Sequence, residues 1–215
     1  MRTALWEQPV TYTAIGATQS PDLLRYPPAG FRPVERIRRI GHGRERYDYA
    51  SLAALTWGIH RNSGFTVTLT DAPPEVTEAS YTPVSFDESG QPISPASIET
   101  PDEVVYSEDG TRVVAPGDTA VLGVGLGITF AVRVIYVVDE PHRRGFAYGT
   151  LAGHPERGEE SWMVEIREDE SVWMTVRAFS RPASRRWWAV YPILLLVQEY
   201  YTRRYLRSLS GPLPS

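Results

Sequence analysis

Hydrophobic and polar positions alternate most regularly in the second half of the chain. Residues 120–126, 129–138, 145–151, 161–167 and 172–179 are strand-like runs rich in Val, Ile, Phe, Tyr and Trp, with the period of two that puts alternate side chains on opposite sheet faces. They are separated by Gly127, by Asp139-Glu140-Pro141, by the loop at residues 153–158 and by Glu168-Asp169-Glu170. Connections this short cannot hold the crossovers that parallel strands need, so the pattern predicts an antiparallel meander. After Pro182 the spacing turns helical as far as Leu209. Trp188, Leu195, Val197, Tyr201 and Tyr205 are its apolar positions, and Arg203, Arg204 and Arg207 fall in the last turns, where cations complement the helix dipole. Strands followed by a long final helix predict an α+β fold, a curved antiparallel sheet wrapped around a long C-terminal helix that covers one sheet face.

The first half is less regular. Residues 11–17 alternate and end near Gly16, which predicts a short first strand. Proline and glycine then punctuate a loop, and residues 34–40 (VERIRRI) read as a strand of unclear period. Tyr47, Leu52, Leu55 and Ile59 recur at near-helical spacing before Gly64, so residues 44–61 predict one helix of about four turns. Phe65, Val67 and Leu69 then alternate with threonines, the pattern of a strand with one buried face. From 71 to 116 the composition shifts to Pro, Ser, Thr, Asp and Glu. This segment reads as a loop or hairpin insertion within a single domain spanning 1–215, with a hairpin expected at 104–114 turned by Asp109-Gly110.

Composition narrows the function. The chain has 215 residues, 42% hydrophobic and 22% charged, which is enough to bury a core. It has no cysteine, so disulfides, thiolate metal sites and cysteine nucleophiles are excluded. All 22 basic residues are arginine, which rules out Schiff-base lysine chemistry. A net charge of -4 argues against a general nucleic-acid binder. No secretory h-region follows Met1, so the expected location is cytoplasmic. The apolar run 187–197 is shorter than the roughly 20 residues of a membrane span and is interrupted by Pro192; it reads as a buried helix in preference to a membrane-surface one.

Several residue groups carry candidate chemistry. Gly123-Val124-Gly125-Leu126-Gly127 looks superficially like a dinucleotide glycine run, but a strand-like segment follows where a helix should, so it reads as a sheet bend. His42 between two glycines, with Arg38, Arg39, Arg44 and Arg46 nearby, has the makings of an anion site or of a plain helix entry; Arg39 could instead form a buried ion pair. His154, Glu156, Glu159 and Glu160 put an imidazole and three carboxylates between two strands, a set suited to proton transfer or to a solvated hairpin. Arg177 alternates with Val176 and would need a carboxylate partner such as Glu160 or Glu165 if buried. Trp57 and His60, at helical spacing, and Phe146, Tyr148, Trp162 and Trp173, on neighbouring strands, suit a core or a cavity lining. No G-x-S-x-G elbow is present, which disfavours serine hydrolase chemistry.

The runs RRIGHGRERYDYA, GIHRNSGF, GLGITFAVRVIYVVDEPHRRGFAYGTLAGHPERGEESWMVEI, TVRAFSRPASRRWW and VQEYYTRRYLRSL resemble the bacterial and plant family catalogued as domain of unknown function nineteen-ninety. The likeness runs from about Ile15 to Leu209, leaves out 71–116, and is most specific from Arg144 to Glu160. It adds weight to Arg38, Gly41, Gly43, His60, Gly149, His154, Glu156, Gly158, Glu159, Glu160, Phe179, Ser180 and Arg181, and implies no activity. The element order is also similar to the helix-grip arrangement of the START and Bet v 1 superfamily, which implies an apolar cavity between sheet and final helix, with Trp188, Tyr191 and Leu195 on its helix wall. The expected function is therefore binding of a small hydrophobic or amphipathic molecule, with cyclase, hydrolase or dehydratase chemistry as an extension. His154 and Glu160 would move protons and Arg177 would stabilise charge, while Arg39, Trp57, His60, Tyr148, Trp162, Trp173, Phe179, Trp188 and Tyr191 would line the ligand. No cofactor or metal is called for, and the oligomeric state is open. The alternative is a non-catalytic interaction module that uses the 71–116 insertion or the C-terminal helix.

Overall fold

A computed structural model describes residues 4–70, 85–86, 92–93, 105–107, 110–125 and 127–213. The elements run β1 (Arg32–His42), α1 (Arg44–Leu55), α2 (Gly58–Asn62), β2 (Thr66–Thr70), β3 (Ser85–Phe86), β4 (Pro92–Ile93), β5 (Thr119–Gly123), β6 (Thr129–Asp139), β7 (Arg143–Thr150), β8 (Glu156–Ile166), β9 (Ser171–Pro182), α3 (Arg185–Ala189) and α4 (Tyr191–Ser208). Seven strands form one curved sheet in the order β1-β9-β8-β7-β6-β5-β2, with every pairing antiparallel. The expected meander is its body, β5 to β9, and the α+β layout with a C-terminal helix is observed. The pair β3 and β4 forms a separate small sheet. The glycine run at 123–127 is the β5–β6 turn, closed by the Val124 N–H donating to the Ile128 carbonyl and the Ile128 N–H to the Gly125 carbonyl, with Gly125 and Gly127 at positive φ. Within the expected hairpin, Tyr106 bridges Arg112 and the Val113 N–H donates to Val105. Its positions 104, 108 and 109, and 71–103 apart from 85–86 and 92–93, lie outside the described residues.

Both sheet faces are covered, by different materials. On one, Val132, Val134, Phe146, Tyr148, Trp162, Val164, Met174 and Val176 pack against Tyr47, Ala50 and Ala54 of α1, Ile59 and His60 of α2, and Tyr205 and Leu206 of α4. On the other, Ala131, Ile135, Tyr136, Ala147, Met163 and Phe179 pack against Val10, Tyr12 and Leu23 of the N-terminal segment. A register shift between Val134 and Tyr136 lets Ile135 and Tyr136 both reach that second face. We call these the helix face and the N-terminal face.

Four expectations are corrected. Residues 11–17 do not form a strand. The Thr11 N–H reaches the Thr150 carbonyl at 3.0 Å, after which the chain turns into a 3-10 helix at Ala17–Gln19. The alternation there serves instead to send Tyr12 and Thr18 beneath the sheet, and Gly149 makes room because a Cβ at that position would strike the Tyr12 ring. The helix expected over 44–61 breaks in two: Trp57 takes φ 61, and Gly58 follows where a Cβ would meet the Ala53 backbone. The strand expected from 161 begins five positions earlier, at Glu156, because a run of polar residues hid its start. The apolar run 187–197 is not a buried helix. Trp187, Trp188, Val190, Ile193, Leu196 and Val197 are all exposed, since α4 buries only its last turns, through Thr202, Tyr205 and Leu206.

Candidate functional site

β8 decides which carboxylates meet. Trp162 and Val164 set its even positions on the helix face, so Glu156 and Glu160 lie there, whereas Glu159 lies on the N-terminal face beside Met163. Gly158 between them has φ 152, and a Cβ at that position would run into the Phe179 carbonyl.

Glu159 is fully occupied. Its Oε2 accepts from the Tyr12 hydroxyl at 2.7 Å and the Gly16 N–H at 2.7 Å, and its Oε1 accepts from the Thr18 N–H at 3.0 Å and the Thr18 hydroxyl at 2.5 Å. Burial still raises its pKa, against the pull of these bonds. The carboxylate ties the N-terminal segment to the sheet, which is a structural role.

Glu160 pairs across the ladder with Tyr148 on one side and Ala178 on the other. Among the described residues no hydrogen bond or ion pair reaches its carboxyl. Burial, with Glu156 adding like charge, pushes its pKa up to about 8. The residue nevertheless keeps some accessible surface. The hydrogen-bonded hydroxyls of Tyr148 and Tyr205 are close enough to feel its charge. Glu156 accepts from the Ser180 hydroxyl at 3.0 Å, Ser180 accepts from Gln198 of α4 at 3.2 Å, and Arg32 donates to Gln198 at 3.3 Å. This chain of bonds links the middle of α4 to the sheet. In the turns before Gln198, the inner residues Tyr191, Leu194 and Leu195 are only half-buried.

His154 stands on the same face, its ring edge-on to Phe130 at 4.6 Å. Its Nδ1 lies 3.0 Å from the Glu156 nitrogen and 2.9 Å from the Glu156 carbonyl oxygen, accepting from the first or donating to the second according to tautomer. Burial lowers its pKa to about 4, so the ring is neutral near pH 7. His60 is fully buried among Trp57, Phe65, Phe146, Tyr148, Trp162 and Tyr205, and neither ring nitrogen has a partner. Burial pulls its pKa down to about 3. An uncharged imidazole among π faces is held by packing and weak N–H···π contact.

Of the sequence candidates, the structure thus gathers His154, Glu160, Tyr148, His60, Trp57 and Trp162 on the helix face. Arg177 is not with them. It projects from the N-terminal face, pairs with Glu35 at 2.9 Å and donates to the Thr18 and Ser20 carbonyls at 3.0 and 2.7 Å. Its partner is an edge-strand glutamate, neither Glu160 nor Glu165. Phe179 is on that face too, edge-on to Tyr12 and Phe31, each at 5.4 Å. Arg39 is exposed and donates to the Gly41 carbonyl at 3.3 Å, with no ion pair. Its ladder partner Trp173 sits under Arg167 at 4.2 Å. Trp188 and Tyr191 pack together, 5.1 Å apart, at the α3–α4 corner. Arg44 and Arg46 are also engaged, with Asp48 and with the carbonyls of Leu209 and Gly211. Sequence reasoning missed Ser180, Gln198 and Tyr205 as neighbours of the carboxylates. Ser180 was legible, since it alternates with Phe179 at the end of β9.

Open grooves lie elsewhere. One of about 1240 Å³ is lined by Leu5, Pro9, Val10, Tyr12, Gly153 and Arg157 among others. Another of about 730 Å³ is lined by Arg44, His142, Arg143 and Glu168 among others. The first holds no sequence candidate, and the second holds Arg44 of the expected anion site and Glu165. Among the described residues no group of His, Asp and Glu is placed to hold a metal ion, and no helix is long and apolar enough to cross a membrane.

Fold and site together define an α+β protein whose curved antiparallel sheet keeps one carboxylate for structure and leaves its neighbour, among the described residues, without a hydrogen-bond partner. The chain belongs to the family described as "Domain of unknown function (DUF1990)", which matches residues 11–115 and 99–208. A UPF0548 protein of Deinococcus radiodurans is 41% identical over 85 residues, 40% of this chain and 43% of that one. A UPF0548 protein of Arabidopsis thaliana is 30% identical over 82 residues, 35% and 40% of the two chains. The matches therefore span about two fifths of these relatives. Among solved structures, a hypothetical protein of Helicobacter pylori aligns with TM-score 0.45 at 11% identity, over 96% of this chain and 97% of that one. A protein of Thermobifida fusca aligns with TM-score 0.46 at 14% identity, over 83% and 90%. Likenesses at this level carry no argument about ligand or activity.

Proposed function

We propose that the protein binds a small amphipathic molecule between the helix face of its sheet and α4, in a helix-grip-like arrangement. The observation that carries this reading is Glu160. A desolvated carboxyl with no hydrogen-bond partner among the described residues is costly in a structure that exists only to be stable, and its neighbour Glu159 is satisfied completely. With a pKa of about 8 the group is mostly protonated at neutral pH, so it donates a hydrogen bond to a polar atom of a ligand and is poised as a general acid. Neutral His154 on the same face would take part in the same proton transfer, and Tyr148, Tyr205 and Phe130 supply apolar wall. Arg177 has no part in it. Proton-transfer chemistry of the cyclase, hydrolase or dehydratase kind is the extension that a protonated carboxyl supports.

The test is native mass spectrometry of purified protein, with organic extraction of what it carries. A stoichiometric small-molecule adduct is expected on the wild type and its loss on Glu160→Leu, which keeps the bulk of the side chain but removes the hydrogen-bond donor. An empty wild-type chain in every preparation, in a host where the gene is native, would remove the reading.

A further inference from the structure

The outer side of the last two helices is apolar in its middle and basic at its ends. On α4 the exposed positions Ile193 (60%), Leu196 (71%), Val197 and Tyr200 recur at helical spacing, and Trp188 (53%) and Trp187 extend the strip around the corner onto α3. Isolated apolar side chains on a surface need no account, but a contiguous strip including two tryptophans does. Arg185 and Arg186 precede it, and Arg203, Arg204 and Arg207 follow it, all exposed. The one acidic residue of these two helices, Glu199, is bound by Arg36 at 3.3 Å and Arg203 at 2.9 Å. In a chain of net charge -4, this surface is therefore markedly positive.

We propose that α3 and α4 dock the protein on the surface of an anionic lipid bilayer, with α4 lying in the plane of the interface. Three features select that occupant. Apolar residues with tryptophan at one end and arginine at both are the composition of an interfacial helix, in which the rings and aliphatics enter the headgroup boundary and the guanidiniums meet lipid phosphates. At 18 residues α4 is about 27 Å long, and its inner side is anchored to the sheet by Tyr205 and Leu206, so it lies along a membrane and does not span it. A second copy fits the charge poorly. A two-fold contact through this strip would bring the arginine ends of one α4 against those of its partner. The inference stands on exposure and charge alone and does not rest on the ligand reading of Glu160.

The test is flotation of the full chain with vesicles of phosphatidylglycerol and phosphatidylcholine, and with vesicles of phosphatidylcholine alone. The wild type is expected to float with the first and to bind the second at least about tenfold more weakly, with added salt weakening the anionic binding. The exposed pair Ile193→Ser with Leu196→Ser, and separately Arg185→Glu with Arg186→Glu, are each expected to cut binding roughly tenfold or more. Both variants should melt with the wild type, because the replaced side chains are exposed. A wild type that stays in the bottom fraction with anionic vesicles overturns the proposal, as does flotation that both variants leave unchanged. A dimer in sedimentation equilibrium that Ile193→Ser with Leu196→Ser dissociates would also overturn it, by giving the strip to a second copy.

Discussion

Glu159 and Glu160 are chemically identical neighbours on one strand, yet they live in opposite environments because a β-strand sends successive side chains to opposite faces. Glu159 enters a side of the sheet that the N-terminal segment seals with its own donors, and each carboxylate oxygen is engaged. Glu160 enters a side covered by aromatic rings and a helix that is only partly seated, and among the described residues no hydrogen bond or ion pair answers its carboxyl. The N-terminal face is polar architecture: Arg177 with Glu35, Arg133 with the Leu5 and Gln8 carbonyls, and Tyr136 with Thr18 all stitch it down. The helix face is held by packing. A buried charge that is completely bonded belongs to the fold, and one that is not is available for chemistry.

The largest effect should come from Glu159. Glu159→Ala orphans the Tyr12 hydroxyl, the Gly16 and Thr18 N–H groups and the Thr18 hydroxyl, and is expected to cost about 3 to 5 kcal/mol in urea denaturation. It should also expose the first 31 residues to protease. If Glu160→Ala costs as much, the contrast between the two faces fails.

His60 tests how far packing alone holds the other face. His60→Ala should cost about 3 kcal/mol through the cavity it leaves among the rings. The acid side of the stability curve carries a second signature. Because the folded pKa of about 3 lies below the ordinary 6.5, the stability contributed by the neutral ring is complete above pH 6.5 and is lost as pH falls towards 3. His60→Phe is expected to flatten that limb between those values, measured by urea titration at successive pH.

Glu160 acts with the opposite sign. Its folded pKa of about 8 lies above the ordinary 4.5, so the stability it contributes is present below 4.5 and is lost as pH rises through 8. Glu160→Gln should match or exceed the wild type at pH 9 and remove the fall in stability between pH 4.5 and 8. A smaller change is expected from Tyr12→Phe, which deletes one donor to Glu159 and should cost about 1 to 2 kcal/mol. Least of all, Leu196→Ser on the open side of α4 should stay within about 0.5 kcal/mol, by thermal melting.

Much of the sheet was legible because β5 to β9 alternate cleanly and are joined by turns too short for anything but antiparallel pairing. The parity of β8 was equally readable once Trp162 and Val164 were taken as core, and it separates Glu159 from Glu160. Other features depended on partners remote in sequence. The alternation of residues 11–17 is real, but it describes a segment packed beneath a sheet, not one hydrogen-bonded into it, and single-chain periodicity does not distinguish the two. Arg177 appeared to belong with Glu160 because its true partner, Glu35, lies 142 positions away on the edge strand. The break at Trp57 left only a Gly at the next position as its trace. The run 187–197 suggested burial on hydrophobicity alone, whereas its exposure follows from where α4 meets the sheet, at Thr202, Tyr205 and Leu206.

The most direct measurement is a pH titration by NMR of protein carrying ¹³C at the glutamate side-chain carboxyls, with Glu160→Gln to assign the signal. One resonance is expected to titrate near pH 8 and to be missing from the variant. If every glutamate instead titrates in the ordinary range around 4, the Glu160 carboxyl is solvated, and the claim that the helix face holds an unpaired proton-bearing group is contradicted.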